Sequence, residues 1–237
     1  MENIPSYVEW TFIAVVVSVL AFLTYGFQST YPGKKNLTPS LATTLMIAWI
    51  FLISTITFSG FFEDFSSPPR LLLAVSVPIL TLVLLLVIPR TRRRLNEIPI
   101  TTLHYIHIIR VPVEMVLWWL SVWAVLPKDL TFEGSNLDII SGISAPFAAV
   151  FMVGTRSKNR IGAVIWNLLA LGLLFNIVFR AISYTPYFYE ATSAAPANTG
   201  VFLFPYILLP TFIVPAVLFS HIVSINQLIF KKDQSQF

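Results

Sequence analysis

The chain has 237 residues, 56% hydrophobic and only 11% charged, with a net charge of +4. A soluble domain carries about 25% charged residues, so this composition, with a mean hydropathy of +0.79, argues for an all-α polytopic membrane protein forming a single transmembrane bundle. The absence of cysteine excludes disulfides, thiolate metal sites and cysteine nucleophiles.

The first ten residues hold Glu2 and Glu9 and no basic residue. A cleavable leader needs a basic start and a short apolar core, so the first apolar run reads as a retained helix. A crossing helix needs about 20 apolar residues. Seven segments meet or approach this: residues 7–27, 41–62, 71–88, 100–126, 137–154, 161–183 and 201–227. The third and fifth are the shortest.

Charge predicts the orientation. One side receives Lys34, Lys35, Arg90, Arg92, Arg93, Arg94, Arg156, Lys158, Arg160, Lys231 and Lys232, and the other only Arg70 and Lys128. Arg110 and Arg180 fall inside spans. This asymmetry places the N-terminus outside and the C-terminus in the cytoplasm. The basic pI of about 9.4 is thereby a topological signal, and no nucleic-acid partner is implied.

The fourth segment, LHYIHIIRVPVEMVLWW, carries His104, His107, Arg110 and Glu114. At about 100° per residue these four share an arc of about 120°. Arg110 and Glu114, four apart, are expected to pair along the helix. An ionised group at a helix centre costs about 2.5–3.5 kcal/mol to insert, so such groups face inward and are functional candidates. The plain alternative is a buried structural ion pair with histidines at the interface.

In the outer loop and fifth segment, Ser135 and Asp138 suggest a capped helix start. The small residues Ser141, Gly142, Ser144 and Ala145 suggest close helix packing. Glu133, Asn136, Asp138 and Arg180 form a candidate outer vestibule, in which Arg180 either snorkels or meets Asp138 or Glu133. Asn167 lies on the opposite face of the sixth segment from Arg180 and is expected to bond to another neighbour. In the last segment, His221, Ser220, Ser224 and Gln227 share one face, at a depth like that of His107. Its prolines, Pro205, Pro210 and Pro215, are expected to bend or loosen it.

The stretch RVPVEMVLWWL, then LP, then TFEGSNLDIISGISAP resembles a group of uncharacterised bacterial multi-spanning membrane proteins. Their pattern is a mid-helix arginine, LP, and an aspartate followed by I-x-x-G-x-[ST]-A-P. The matching positions are Arg110, Leu126 with Pro127, Asp138 and Gly142 to Pro146. The resemblance covers the fourth and fifth segments. It implies a bacterial inner-membrane location and no particular activity.

The functional expectation is a lipid-embedded protein with an intramembrane polar site, formed by His104, His107, Arg110, Glu114, His221 and Ser224. That site would bind or conduct a small solute, an ion or a proton, without catalysis. One alternative is a metal or haem enzyme: zinc on His104, His107 and His221, or haem between His107 and His221. Zinc hydrolases of the adiponectin-receptor type also use three histidines near one membrane face, but pair them on the last helix. Another alternative is a structural or sensory subunit. No cofactor is identified from the sequence. A retinal protein is excluded because every lysine lies at a helix end or in a loop, leaving no buried amine for a Schiff base. No phosphate-binding glycine loop, serine elbow or kinase motif occurs.

Overall fold

The computed structural model describes residues 4–30, 41–65, 69–154, 159–190 and 195–230. Their regular structure is entirely helical. Eight helices follow one another: α1 (Ser6–Gln28), α2 (Leu41–Phe58), α3 (Arg70–Val87), α4 (Pro89–Leu95), α5 (Ile100–Val122), α6 (Asp138–Phe151), α7 (Arg160–Ser183) and α8 (Leu209–Phe230). Six of them, all but α4 and α6, are long and apolar enough to cross a membrane. The fifth expected span is α6, whose 14 residues reach about 21 Å at ~1.5 Å per residue. The basic residues Lys34, Lys35, Arg156, Lys158, Lys231 and Lys232 lie outside the described residues.

Proline sets most of the breaks. Pro89 cannot continue α3, because the residue before a proline is driven out of the helical region. Ile88 is accordingly extended, and Pro89 opens α4 at its first position, where a missing N–H costs nothing. Pro112 inside α5 removes the N–H that would bond to the carbonyl of Ile108. The turn just before it, Ile106–Ile109, tightens to a 3-10 helix that carries His107.

The three prolines of the last segment act differently from one another. Pro205 precedes α8, Pro210 falls in a π turn over Leu209–Ile213, and Pro215 sits just inside the α-helix that follows. Pro215 leaves the Thr211 carbonyl without its helical donor. The indole Nε1 of Trp49, on α2, donates to that oxygen at 3.0 Å.

α5 is central and packs against α1, α6 and α8, while α7 closes the ring against α6 and α8. α1 presents a helical stripe of Val8, Phe12, Val15, Val16, Val19 and Leu23 to this core. α6 approaches α5 at Gly142, where a Cβ would lie 2.8 Å from Val111 Cγ2 and 3.0 Å from its backbone nitrogen. No side chain fits there, and that proximity brings Asp138, one helical turn earlier, level with Arg110.

α1 and α5 run in opposite directions, Tyr7 meeting Trp119 and Gly26 facing Thr102, so the bundle has two distinct ends. At the end where α1 begins, Tyr7 packs edge-on against Trp119 with ring centroids 5.0 Å apart. There too the Asn176 amide donates to the Ser135 carbonyl at 3.1 Å. At the opposite end the Gln227 amide donates to the carbonyls of Leu95 and Ile98 at 3.1 and 3.0 Å.

Candidate functional site

The three histidines come together around Asn167, which the sequence reading assigned only a neighbour-gluing role. The Asn167 Nδ2 donates to Ala163 O at 2.8 Å, which fixes the orientation of the amide. The same nitrogen lies 3.2 Å from His104 Nε2 and 3.3 Å from Ser224 Oγ. The Oδ1 on the other side can only accept, so His221 Nδ1–H donates to it at 2.9 Å. His104 Nδ1 faces the Ile100 carbonyl at 2.8 Å and must donate there, leaving Nε2 as an acceptor for Asn167. Both tautomers are thus set by groups that cannot exchange roles.

His107 has no such partner. Its ring stacks on His221 with centroids 4.0 Å apart, and Trp166 lies against it edge-on at 5.4 Å. Both His107 nitrogens, His221 Nε2 and Ser220 Oγ are buried without a hydrogen-bond partner. Two imidazoles stacked this closely leave no room for a macrocycle between them. Among the described residues no three His, Asp or Glu side chains form a set able to hold a metal ion.

One turn beyond His107, the ionisable groups pair across helices rather than along one. Arg110 Nε lies 3.1 Å from Asp138 Oδ2 of α6, and both its terminal nitrogens donate to the Ala170 carbonyl of α7 at 3.3 Å. Glu114, expected to pair with Arg110, instead accepts from Asn136 Nδ2 at 2.6 Å. That same nitrogen also donates to the Leu130 carbonyl at 3.1 Å. Arg110, Glu114, Asn136 and Asp138 are all buried.

The expected outer vestibule therefore does not form as one unit. Asn136 and Asp138 belong to the buried Arg110 cluster. Glu133 pairs with Lys128 at 3.0 Å on the surface. Arg180 meets Asp129 at 2.7 Å, not Asp138 or Glu133. The expected cap on α6 is also different: Asn136 Oδ1 accepts from the Asp138 backbone N–H at 3.0 Å, while Ser135 Oγ donates to Asp129 at 2.5 Å. Burial pushes the Asp129 carboxyl up, but hydrogen bonds from Ser135 and Arg180, with the guanidinium charge, outweigh it. The group is held below the usual carboxylate range.

Arg110, Glu114 and Asp138 also form part of the wall of a cavity of about 160 Å³ between α3, α5, α7 and α8. The remaining lining is almost wholly apolar, with Val113, Leu174, Val178 and Val217 among its side chains. Leu72 and Ile182 line it too and are exposed on the outer face of the bundle, so the cavity reaches the outside between α3 and α7.

The chain belongs to a family defined by a domain of unknown function, DUF8737, whose pattern matches residues 68–229. The match contains α3 to α7 and all of α8 but its last residue, and so the whole of this polar interior; α1 and α2 lie ahead of it. No curated protein and no solved structure matches the chain.

Proposed function

We propose that the protein is a multi-pass protein of a bacterial inner membrane that binds a small solute in the cavity beside Arg110, Glu114 and Asp138. The observation that carries this is the composition of the wall: three buried ionisable groups, two within α5 and one at the start of α6, edging an otherwise largely apolar space. Charges are kept at such depth, against an insertion cost of about 2.5–3.5 kcal/mol each, where they serve a site or a pathway. An apolar pocket with a few convergent polar groups is the usual form of a small-molecule site.

In this reading α6 is a seventh, shortened crossing, and the chain enters from outside and ends in the cytoplasm. The arginines of α4 and Arg160 then face the cytoplasm. Arg70 and Lys128 lie outside and Arg180 at the outer end of α7, and each pairs with an acid. A reporter fused after residue 237 that is active only in the cytoplasm should be active. Activity of a reporter that works only outside overturns the orientation.

Binding is tested with benzylamine, benzyl alcohol and benzoate, one cation, one neutral molecule and one anion of equal size. Calorimetry on purified protein in detergent should show saturable binding of at least one of them. Val178→Phe, which fills the cavity, should abolish it. If none binds, or if Val178→Phe binds equally well, the solute-site reading fails.

A further inference from the structure

The cavity wall is out of charge balance. Two carboxyl groups, Glu114 and Asp138, share it with one guanidinium. The donors of Arg110 point to Asp138 and to the Ala170 carbonyl, and none is given to Glu114. Its one bond comes from a neutral amide, Asn136. Glu114 Oε2 and Asp138 Oδ1 are both buried and have no hydrogen-bond partner. The two residues are 1% and 6% exposed.

An isolated carboxylate is not stable in an apolar surround; it either keeps its proton or meets a cation. We propose that the cavity takes a small amine in its protonated form, with an apolar body, and that the amine displaces the proton held by Glu114. This rests on the solute-site reading above and names the class of solute.

The chemistry selects the ligand. The one cation on the wall, Arg110, is already held by Asp138 and the Ala170 carbonyl, so an anion meets no unmatched positive charge, and Asp138 repels it. A neutral alcohol donates one hydrogen bond but brings no charge to replace the proton of Glu114. An ammonium group brings one positive charge and three N–H donors, enough to serve both oxygens. Size limits the apolar part: a dry apolar cavity of about 150 Å³ is known to hold benzene, close to the volume found here.

The step balances. Glu114, as the neutral acid, loses its proton to solvent; the ammonium then lies against the resulting carboxylate. No bond other than O–H is broken. The other charged groups facing Glu114 are Arg110 on α5 and Asp138 on α6. Asp138 already has Arg110 as counter-charge, which leaves Glu114 as the group that titrates with binding.

The test is calorimetry of benzylamine binding in two buffers of different ionisation enthalpy, over a range of pH below the amine's own pKa. One proton should be released per amine bound, and affinity should rise about tenfold per pH unit while Glu114 is protonated in the free protein. Benzyl alcohol should bind at least tenfold more weakly. Glu114→Gln should bind benzylamine more weakly, with no proton release and no pH dependence. The wild-type proton count decides the matter even where Glu114→Gln does not fold. Binding without proton release, or benzyl alcohol or benzoate binding as tightly as benzylamine, overturns the proposal while leaving a solute site in place. Failure of all three probes overturns both.

Discussion

α3 and α8 lie side by side and follow opposite rules. α3 is the most apolar of the six long helices, yet only 11% of its apolar stretch is buried. α8 is less apolar and 67% buried; α5, the least apolar, is 50% buried. In water the order would be reversed, because burial of apolar surface drives folding. In the membrane setting proposed above that drive is absent, since a leucine gains little by moving from lipid to protein. What must be hidden there is the polar group. α5 and α8 bury His104, His107, Arg110, Glu114, Ser220, His221 and Ser224, and α3 turns Leu72, Leu73, Leu80 and Leu84 outward. The bundle thus gathers its polar groups in an inner ring, and α2 and α3 are its apolar margin.

The sharpest way to break that contrast is to remove the positive charge from the ring. Arg110→Met leaves Asp138 and Glu114 buried without a cation. Removing one partner of a buried pair costs about 3–5 kcal/mol, whereas replacing both by apolar groups is often close to neutral. Reversible unfolding in mixed micelles should therefore show a large loss for Arg110→Met, with most of it restored in Arg110→Met with Asp138→Leu. A single variant as stable as the wild type would mean that buried Asp138 does not need Arg110 as its counter-charge.

Much of this ring was legible one helix at a time. Apolar run lengths located the long helices, and the 3.6-residue period put His104, His107, Arg110 and Glu114 on one face. Pairing across helices was not legible. Arg110 and Glu114 have the favourable spacing of four, so local reasoning joined them. The preferred partner, Asp138, is brought level only by the absence of a side chain at Gly142. Asn167 was visible as a polar residue in an apolar helix, but its place between His104 and His221 depends on how α5, α7 and α8 are rotated. A helical wheel has no term for that. The cap was missed because Ser135 and Asn136 are equally good candidates by type, and Asp129, six residues away, takes the serine.

The margin gives the smaller and more telling effect. Leu120 in α5 is 1% exposed and Leu80 in α3 is 60% exposed. Leu120→Ala opens a cavity among packed helices and should cost about 2–5 kcal/mol. Leu80→Ala should cost less than about 0.5 kcal/mol in the same micelles, as for other outward-facing positions, because lipid or detergent chains flow into the space that the side chain leaves. The same substitution thus reads what covers each helix. Equal losses at the two positions would mean that α3 is covered by protein, and that its apolar face is a surface for another subunit instead of a boundary with lipid.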